Sequence, residues 1–180
     1  KKHKLSHIGS CLSVLPVLIE IYDKKKPEDL VVMDNAHAHI AHLVVREAMG
    51  EINNIDELIE QNGIHCDRSV GCDVSGGSLG HTGIALGHAI ANKQGKVYLI
   101  VSDGSVCEGS FYEMLRIAKL LKIKNLEIHA NFNGYTATTK INLDYWEQFI
   151  KGFDFPINFH RTNNGPIEFD GVEGHYMVIE

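Results

Sequence analysis

The chain has 180 residues, 44% of them hydrophobic, enough for one domain with a real core and too apolar for a disordered chain. Its 17 Lys and Arg against 23 Asp and Glu give a net charge of −6, so no basic footprint marks it for nucleic acid. Four cysteines (Cys11, Cys66, Cys72 and Cys107) form no CxxC pair, which makes a reduced, cytoplasmic setting the expectation.

The first residue is Lys1 rather than Met, as expected of a trimmed or partial chain. Lys1 to Lys4 followed by the apolar run 12–22 has the outline of a signal peptide. Glu20 interrupts that run, and no small-residue cleavage site follows. A helix is expected instead, capped by Ser10 or Ser13, with Pro16 in its first turn. Residues 30–33 predict a short buried strand, and Asp34-Asn35-Ala36-His37-Ala38-His39 follows at its carboxyl end. His37, His39 and His42 have the H-x-H-x-x-H spacing of a zinc set, yet on a helix only His39 and His42 share a face. The alternative for His39 and His42 is packing or a place on the surface.

Residues 54–61 predict a helix, capped by Asn53 or Asn54 and closed by Asn62-Gly63. The irregular stretch 64–77 is long for a compact domain, which points to a functional loop; His65, Cys66 and Cys72 within it are alternatively a partial metal set. Gly76-Gly77-Ser78-Leu79-Gly80-His81-Thr82-Gly83 follows. Its glycines admit close backbone approach, and free N–H groups at a helix start favour anions. A helix is expected over 79–93 with Gly80, Gly83 and Gly87 inside it, each costing roughly 1 kcal/mol against alanine. Close helix packing would explain them, and the plain alternative is packing within the domain.

Residues 97–134 organise the chain. Residues 97–101 are β-branched and apolar, as in a buried parallel strand, and end at Ser102-Asp103-Gly104. An amphipathic helix is expected over 108–122, with Phe111, Met114, Leu115, Ala118 and Leu121 on one face. A second buried strand, 126–130, ends in Asn131-Phe132-Asn133-Gly134. This β-α-β unit sets Asp103 and Asn133 at the carboxyl ends of neighbouring strands, where open α/β sheets bind ligands. Both are hard oxygen donors suited to a magnesium ion that takes other ligands from a diphosphate. The plain alternative is an ordinary β-α-β unit with a turn aspartate. Beyond it, 143–152 predicts a helix with Tyr145, Trp146 and Phe149 inward, and 157–160 and 166–169 predict short strands.

The stretch from Asp103-Gly104 to Asn133 resembles the thiamine-diphosphate motif of the transketolase family, Gly-Asp-Gly then helix, strand and Asn, with Ser102 in place of the first glycine. Gly76 to Gly83, Ser6-His7-Ile8-Gly9-Ser10 and Asn35-Ala36-His37 resemble further elements of that family. The resemblance covers roughly residues 6–142. It implies an α/β fold, a parallel sheet flanked by helices on both faces, with thiamine diphosphate and Mg²⁺ as cofactors. Asp103, Asn133 and the Tyr135 carbonyl are implied as metal ligands. Gly77, Ser78, Leu79, Gly104 and Ser105 are implied beside the cofactor with Asp103 and Asn133. His7, His37 and His65 are implied around the substrate, and Glu108 in a proton network reaching a second active site. His175 resembles a family element only faintly and is expected to be a structural or surface residue. The implied activity is transfer of a two-carbon ketol unit between sugars or sugar phosphates. Chemistry like that of deoxyxylulose-phosphate synthase, or a degenerate scaffold, are the alternatives. Residues 1–180 are expected to form the single diphosphate-binding domain. A separate subunit would supply the pyrimidine-binding domain in a hetero-oligomer such as α2β2. Neither a membrane nor a nucleic acid is an expected partner.

Overall fold

The computed structural model describes residues 6–62, 68, 74, 79–136, 139–162, 168–169 and 172–173. Helix α1 (Ile8–Tyr22) leads to strand β1 (Leu30–Met33), a 3-10 turn (Ala36–Ala38), and helices α2 (His39–Ala48) and α3 (Ile55–Asn62). Helix α4 (Thr82–Ala91), strand β2 (Val97–Ser102), a second 3-10 turn (Ser105–Cys107), helix α5 (Gly109–Leu120) and strand β3 (Leu126–Phe132) follow. A small ribbon of β4 (Tyr135–Thr136) and β5 (Thr139–Lys140), helix α6 (Leu143–Lys151) and strand β6 (Ile157–Arg161) come next, then the two-residue strands β7 (Glu168–Phe169) and β8 (Val172–Glu173).

The main sheet is parallel throughout, in the order β1-β2-β3-β6. Alternation along β1 and β2 divides their side chains between two cores. Val31, Met33, Tyr98 and Ile100 face α1 and α2, meeting Val14, Val17, Leu18 and Ile21. Val32, Val97, Leu99 and Val101 face the opposite way, toward α4 and α5, meeting Leu86, Phe111, Met114 and Leu115. Helices therefore cover both faces, the expected α/β architecture. The parallel register sets Met33 beside Ile100 and Ser102 beside Asn131, so β1, β2 and β3 all deliver their carboxyl ends to one rim.

Several expectations are corrected. Helix α1 starts at Ile8, before both predicted caps, so Pro16 lies in its interior rather than its first turn. Helix α6 buries Ile150 and leaves Tyr145 57% and Phe149 44% exposed, so two of its three aromatic side chains face outward. Its apolar anchors are Ile150 with half-buried Leu143 and Trp146. Strand β3 runs two residues beyond the expected 126–130. Helix α4 begins at Thr82, which leaves Gly80 outside it with a left-handed φ of 103°.

Gly83 and Gly87 do lie within α4, but a Cβ on either would meet nothing within 4 Å. Packing against the described residues of the domain therefore does not explain them. Gly83→Ala should raise the stability of the isolated chain by roughly 0.5–1 kcal/mol. Thermal melting checks this, and a lower melting temperature would show an unfavourable contact at that face.

Candidate functional site

The rim is built from β1, β2 and β3 outward. Asp103 follows β2 and is 1% exposed. Its Oδ2 accepts the Asn133 N–H at 2.9 Å and its Oδ1 the Gly134 N–H at 3.3 Å. The chain can double back there because Gly134 adopts a left-handed φ of 92°. Asn133 Oδ1 accepts the Tyr135 N–H at 3.0 Å, which orients the amide. The structure thus brings Asp103, Asn133 and Tyr135 into one small bracket. Burial pushes the Asp103 carboxyl up to about 6, and backbone N–H groups only partly offset that. A carboxylate buried in this way, with backbone N–H groups rather than a cationic side chain to moderate it, is the electrostatic half of a cation site. Aspartate, amide and carbonyl oxygens also suit magnesium, so the residues present fit that ion.

The turn after β2 is closed by Ser105, fully buried, whose Oγ accepts the Ser102 N–H at 3.0 Å. Gly104 is helical rather than left-handed (φ −65°), so it is not there for its backbone angles. Its neighbour is Leu79, whose Cδ1 would lie 3.6 Å from a Cβ placed on Gly104. Leu79 from the glycine-rich stretch and Gly104 from the β2 turn therefore share one wall. Gly77, Ser78 and His65 lie outside the described residues.

His7 and His37 also come together, with ring centroids 5.1 Å apart. His7 caps α1 with a left-handed backbone (φ 63°, ψ 28°), a conformation that costs a non-glycine residue of order 1 kcal/mol. Ser6 Oγ meets its Nδ1 at 2.7 Å and orients the ring. His37 stands on the 3-10 turn after β1, so both imidazoles belong to the rim that carries Asp103. Glu108 is exposed at the head of α5, apart from that pair in character. The zinc idea for His37, His39 and His42 does not hold: His37 turns toward His7, while His42 Nε2 meets the Tyr22 hydroxyl at 2.9 Å.

Asp34 belongs to the rim although nothing in the sequence motifs pointed to it. Its Oδ1 accepts the N–H groups of Gly80, His81 and Thr82 at 3.0, 2.5 and 3.1 Å. The expectation that these helix-start N–H groups stand open to an external anion is therefore corrected: the chain's own carboxylate occupies them. An aspartate directly after a buried strand was the available signal. Around this clamp, Asn35 Oδ1, His81 Nδ1 and Thr82 Oγ1 are buried with no hydrogen-bond partner among the described residues. Orphaned buried polar atoms are costly, and three beside one strand end fit a site that receives polar ligand atoms.

No family model matches the chain. It is 36% identical over 146 residues to one of the subunits of the apulose-4-phosphate transketolase of Phocaeicola vulgatus, an alignment covering 69% of this chain and 52% of that protein. It is 27% identical over 158 residues to the 1-deoxy-D-xylulose-5-phosphate synthase of Fusobacterium nucleatum, covering 81% of this chain and 24% of that one. In fold it is similar to the transketolase of Leishmania mexicana, with a TM-score of 0.70 at 19% identity, across 89% of this chain and 33% of that chain. The chain spans about half the length of the first of these relatives.

Proposed function

Because this chain belongs to the transketolase family and has its α/β thiamine-diphosphate-binding fold, we propose that it is the diphosphate- and magnesium-binding half of an enzyme that transfers a two-carbon ketol unit between sugars or sugar phosphates. The observation that carries this reading is the Asp103 bracket, a buried carboxylate held against Asn133 and Gly134 at the carboxyl rim of the sheet. Asp103, Asn133 and the Tyr135 carbonyl would hold Mg²⁺. Gly77, Ser78, Leu79, Gly104 and Ser105 would line the diphosphate. When bound, thiamine diphosphate supplies the carbanion stabilisation that the carbon–carbon bond chemistry needs.

The chain's own contribution is binding, orientation and proton handling. His7, His37 and His65 would face the transferred unit, hydrogen-bonding its hydroxyls and moving protons near neutral pH. Glu108, exposed at the head of α5, is available to a second protein surface and would join the proton network there. A separate pyrimidine-binding chain would complete the site in a hetero-oligomer. Support comes from the relative named as a subunit, of which this chain spans about half. A cytoplasmic setting accords with the free thiols of Cys11 and Cys107. Among the described residues, no helix is long and apolar enough to cross a membrane.

Calorimetric titration with thiamine diphosphate, with and without Mg²⁺, tests the reading. Magnesium-dependent binding by the chain, alone or with its pyrimidine-domain partner, is expected; no binding in either form would favour a degenerate scaffold. His37→Ala should keep cofactor affinity within about threefold and lower turnover of the assembled enzyme by roughly 10²–10⁴. Wild-type turnover would remove His37 from the substrate site. Synthase chemistry is a second reading, supported by the 27% identity across 81% of the chain. Turnover with pyruvate as donor would distinguish it.

A further inference from the structure

Away from the rim, on the face of the sheet covered by α1, lies a polar cluster that the proposed reaction does not use. Helix α1 runs antiparallel to β3: Ser13 meets Asn131, Glu20 reaches the level of His129 and His160, and Lys24 pairs with Glu127. Among the described residues, Glu20, His129 and His160 are the group of metal-ligating side chains whose donor atoms all lie within 4.8 Å of one another. We propose that Glu20, His129 and His160 form a second metal site, for a borderline divalent ion of the Zn²⁺ type, which ties α1 to β3 and to the edge strand β6.

The argument is geometric. His129 is fully buried, and its Nε2 faces Glu127 Oε1 at 3.1 Å. A carboxylate there fixes the proton on Nε2 and leaves Nδ1 with its lone pair, the arrangement that supports metal-bound histidines from behind. That Nδ1 points at His160 Nε2, 2.9 Å away. In the metal-free chain the two nitrogens share the proton carried by His160 Nε2; on loading that proton passes to His160 Nδ1, so the imidazole stays neutral, and the ion takes its place. Zn–N bonds of about 2.0–2.1 Å hold two tetrahedral ligands about 3.4 Å apart, so loading requires the rings to part by only about half an ångström.

Glu20 is divided in the same sense. Its Oε1 binds Lys24 at 3.2 Å, while its Oε2 lies 3.9 Å from His160 Nδ1, on the far side of the ring from the His129 contact. With a donor oxygen within 4.8 Å of donor nitrogens of both histidines, Glu20 reaches the ion by a rotation of its exposed side chain. Two imidazoles and a carboxylate are borderline ligands that suit zinc, cobalt or nickel better than magnesium. Burial, with Lys24 nearby, also holds both histidines below their ordinary range, which keeps the rings neutral and available as ligands at pH 7. His129 reaches the cluster from β3 and His160 from β6, so a bound ion would cross-link neighbouring strands and the helix above them.

The test uses the full chain, stripped with chelator and held in excess Mg²⁺ to saturate the rim. Zn²⁺ is titrated calorimetrically, and Co²⁺ is followed by its visible absorption. One equivalent of each is expected, with a higher melting temperature on Zn²⁺ loading. His160→Ala should weaken binding at least tenfold and abolish the thermal shift. Glu20→Gln, on the exposed surface of α1, should also weaken binding and serves as the deciding variant if His160→Ala does not fold. Asp103→Ala and His37→Ala should bind as the wild type does. No binding by the wild type, undiminished binding by His160→Ala or Glu20→Gln, or loss of binding in His37→Ala would each overturn the proposal.

Discussion

Asp103→Ala is expected to abolish magnesium-dependent binding of thiamine diphosphate while leaving the melting temperature nearly unchanged. Two opposing effects produce the second result. Holding the buried carboxyl at about 6, against an ordinary 3.8, corresponds to roughly 3 kcal/mol of destabilisation once the group is ionised. Removing it relieves that cost but orphans the Asn133 and Gly134 N–H groups, a loss of similar size at about 1–3 kcal/mol each. The variant is therefore a binding probe rather than a folding probe. The pH dependence follows with a definite sign. Because the folded-state value is raised, the unliganded fold is favoured by protonation, and the Asp103 contribution worsens as pH rises from about 4 to about 6. Metal binding needs the ionised form, so affinity for Mg²⁺ should be full above pH 6 and fall about tenfold per unit below it. Calorimetry at pH 7.5 and pH 5 reads this directly, and equal affinity at both would remove Asp103 from the metal site.

Asp34→Ala should produce the largest loss of stability of any single change on the rim. One buried oxygen accepts three N–H groups at the start of α4 and sits at the positive end of that helix. Alanine leaves all three donors without their partner, at about 3–5 kcal/mol in total, which in a chain of this size lowers the melting temperature by roughly 10 °C. Asp34→Asn keeps an oxygen in place and should recover about half of the loss. Thermal melting and hydrogen exchange over α4 check both. A drop of less than about 2 °C in Asp34→Ala would show that the helix start is held elsewhere.

What was legible in the sequence was local in origin. β-branched apolar runs between turn residues marked β1, β2 and β3 to within two residues, and the Asp103 to Asn133 bracket followed from the β-α-β unit they form. Long-range partners left no such trace. The Asp34 clamp joins positions 46 to 48 residues apart. The His129–His160 pair depends on β6 lying beside β3, an order that periodicity does not specify. Helix α6 misled for a different reason. Its aromatic side chains suggested a core face, but the smaller Ile150 fills the space under it, and Tyr145 stacks outside on Phe149 with ring centroids 6.1 Å apart.

The main sheet adds its strands in the order in which they occur along the chain, β1, β2, β3 and then β6. Each new strand therefore docks on the outer edge of the last, and none has to be inserted between two already paired. A nascent chain leaving the ribosome can build the sheet without undoing any earlier pairing. Asp103 gains its backbone partners as soon as β3 and the turn after it have emerged, before α6 or β6 has been synthesised. The Asp103 bracket can thus close early in assembly, and late errors at the β6 edge would spare it.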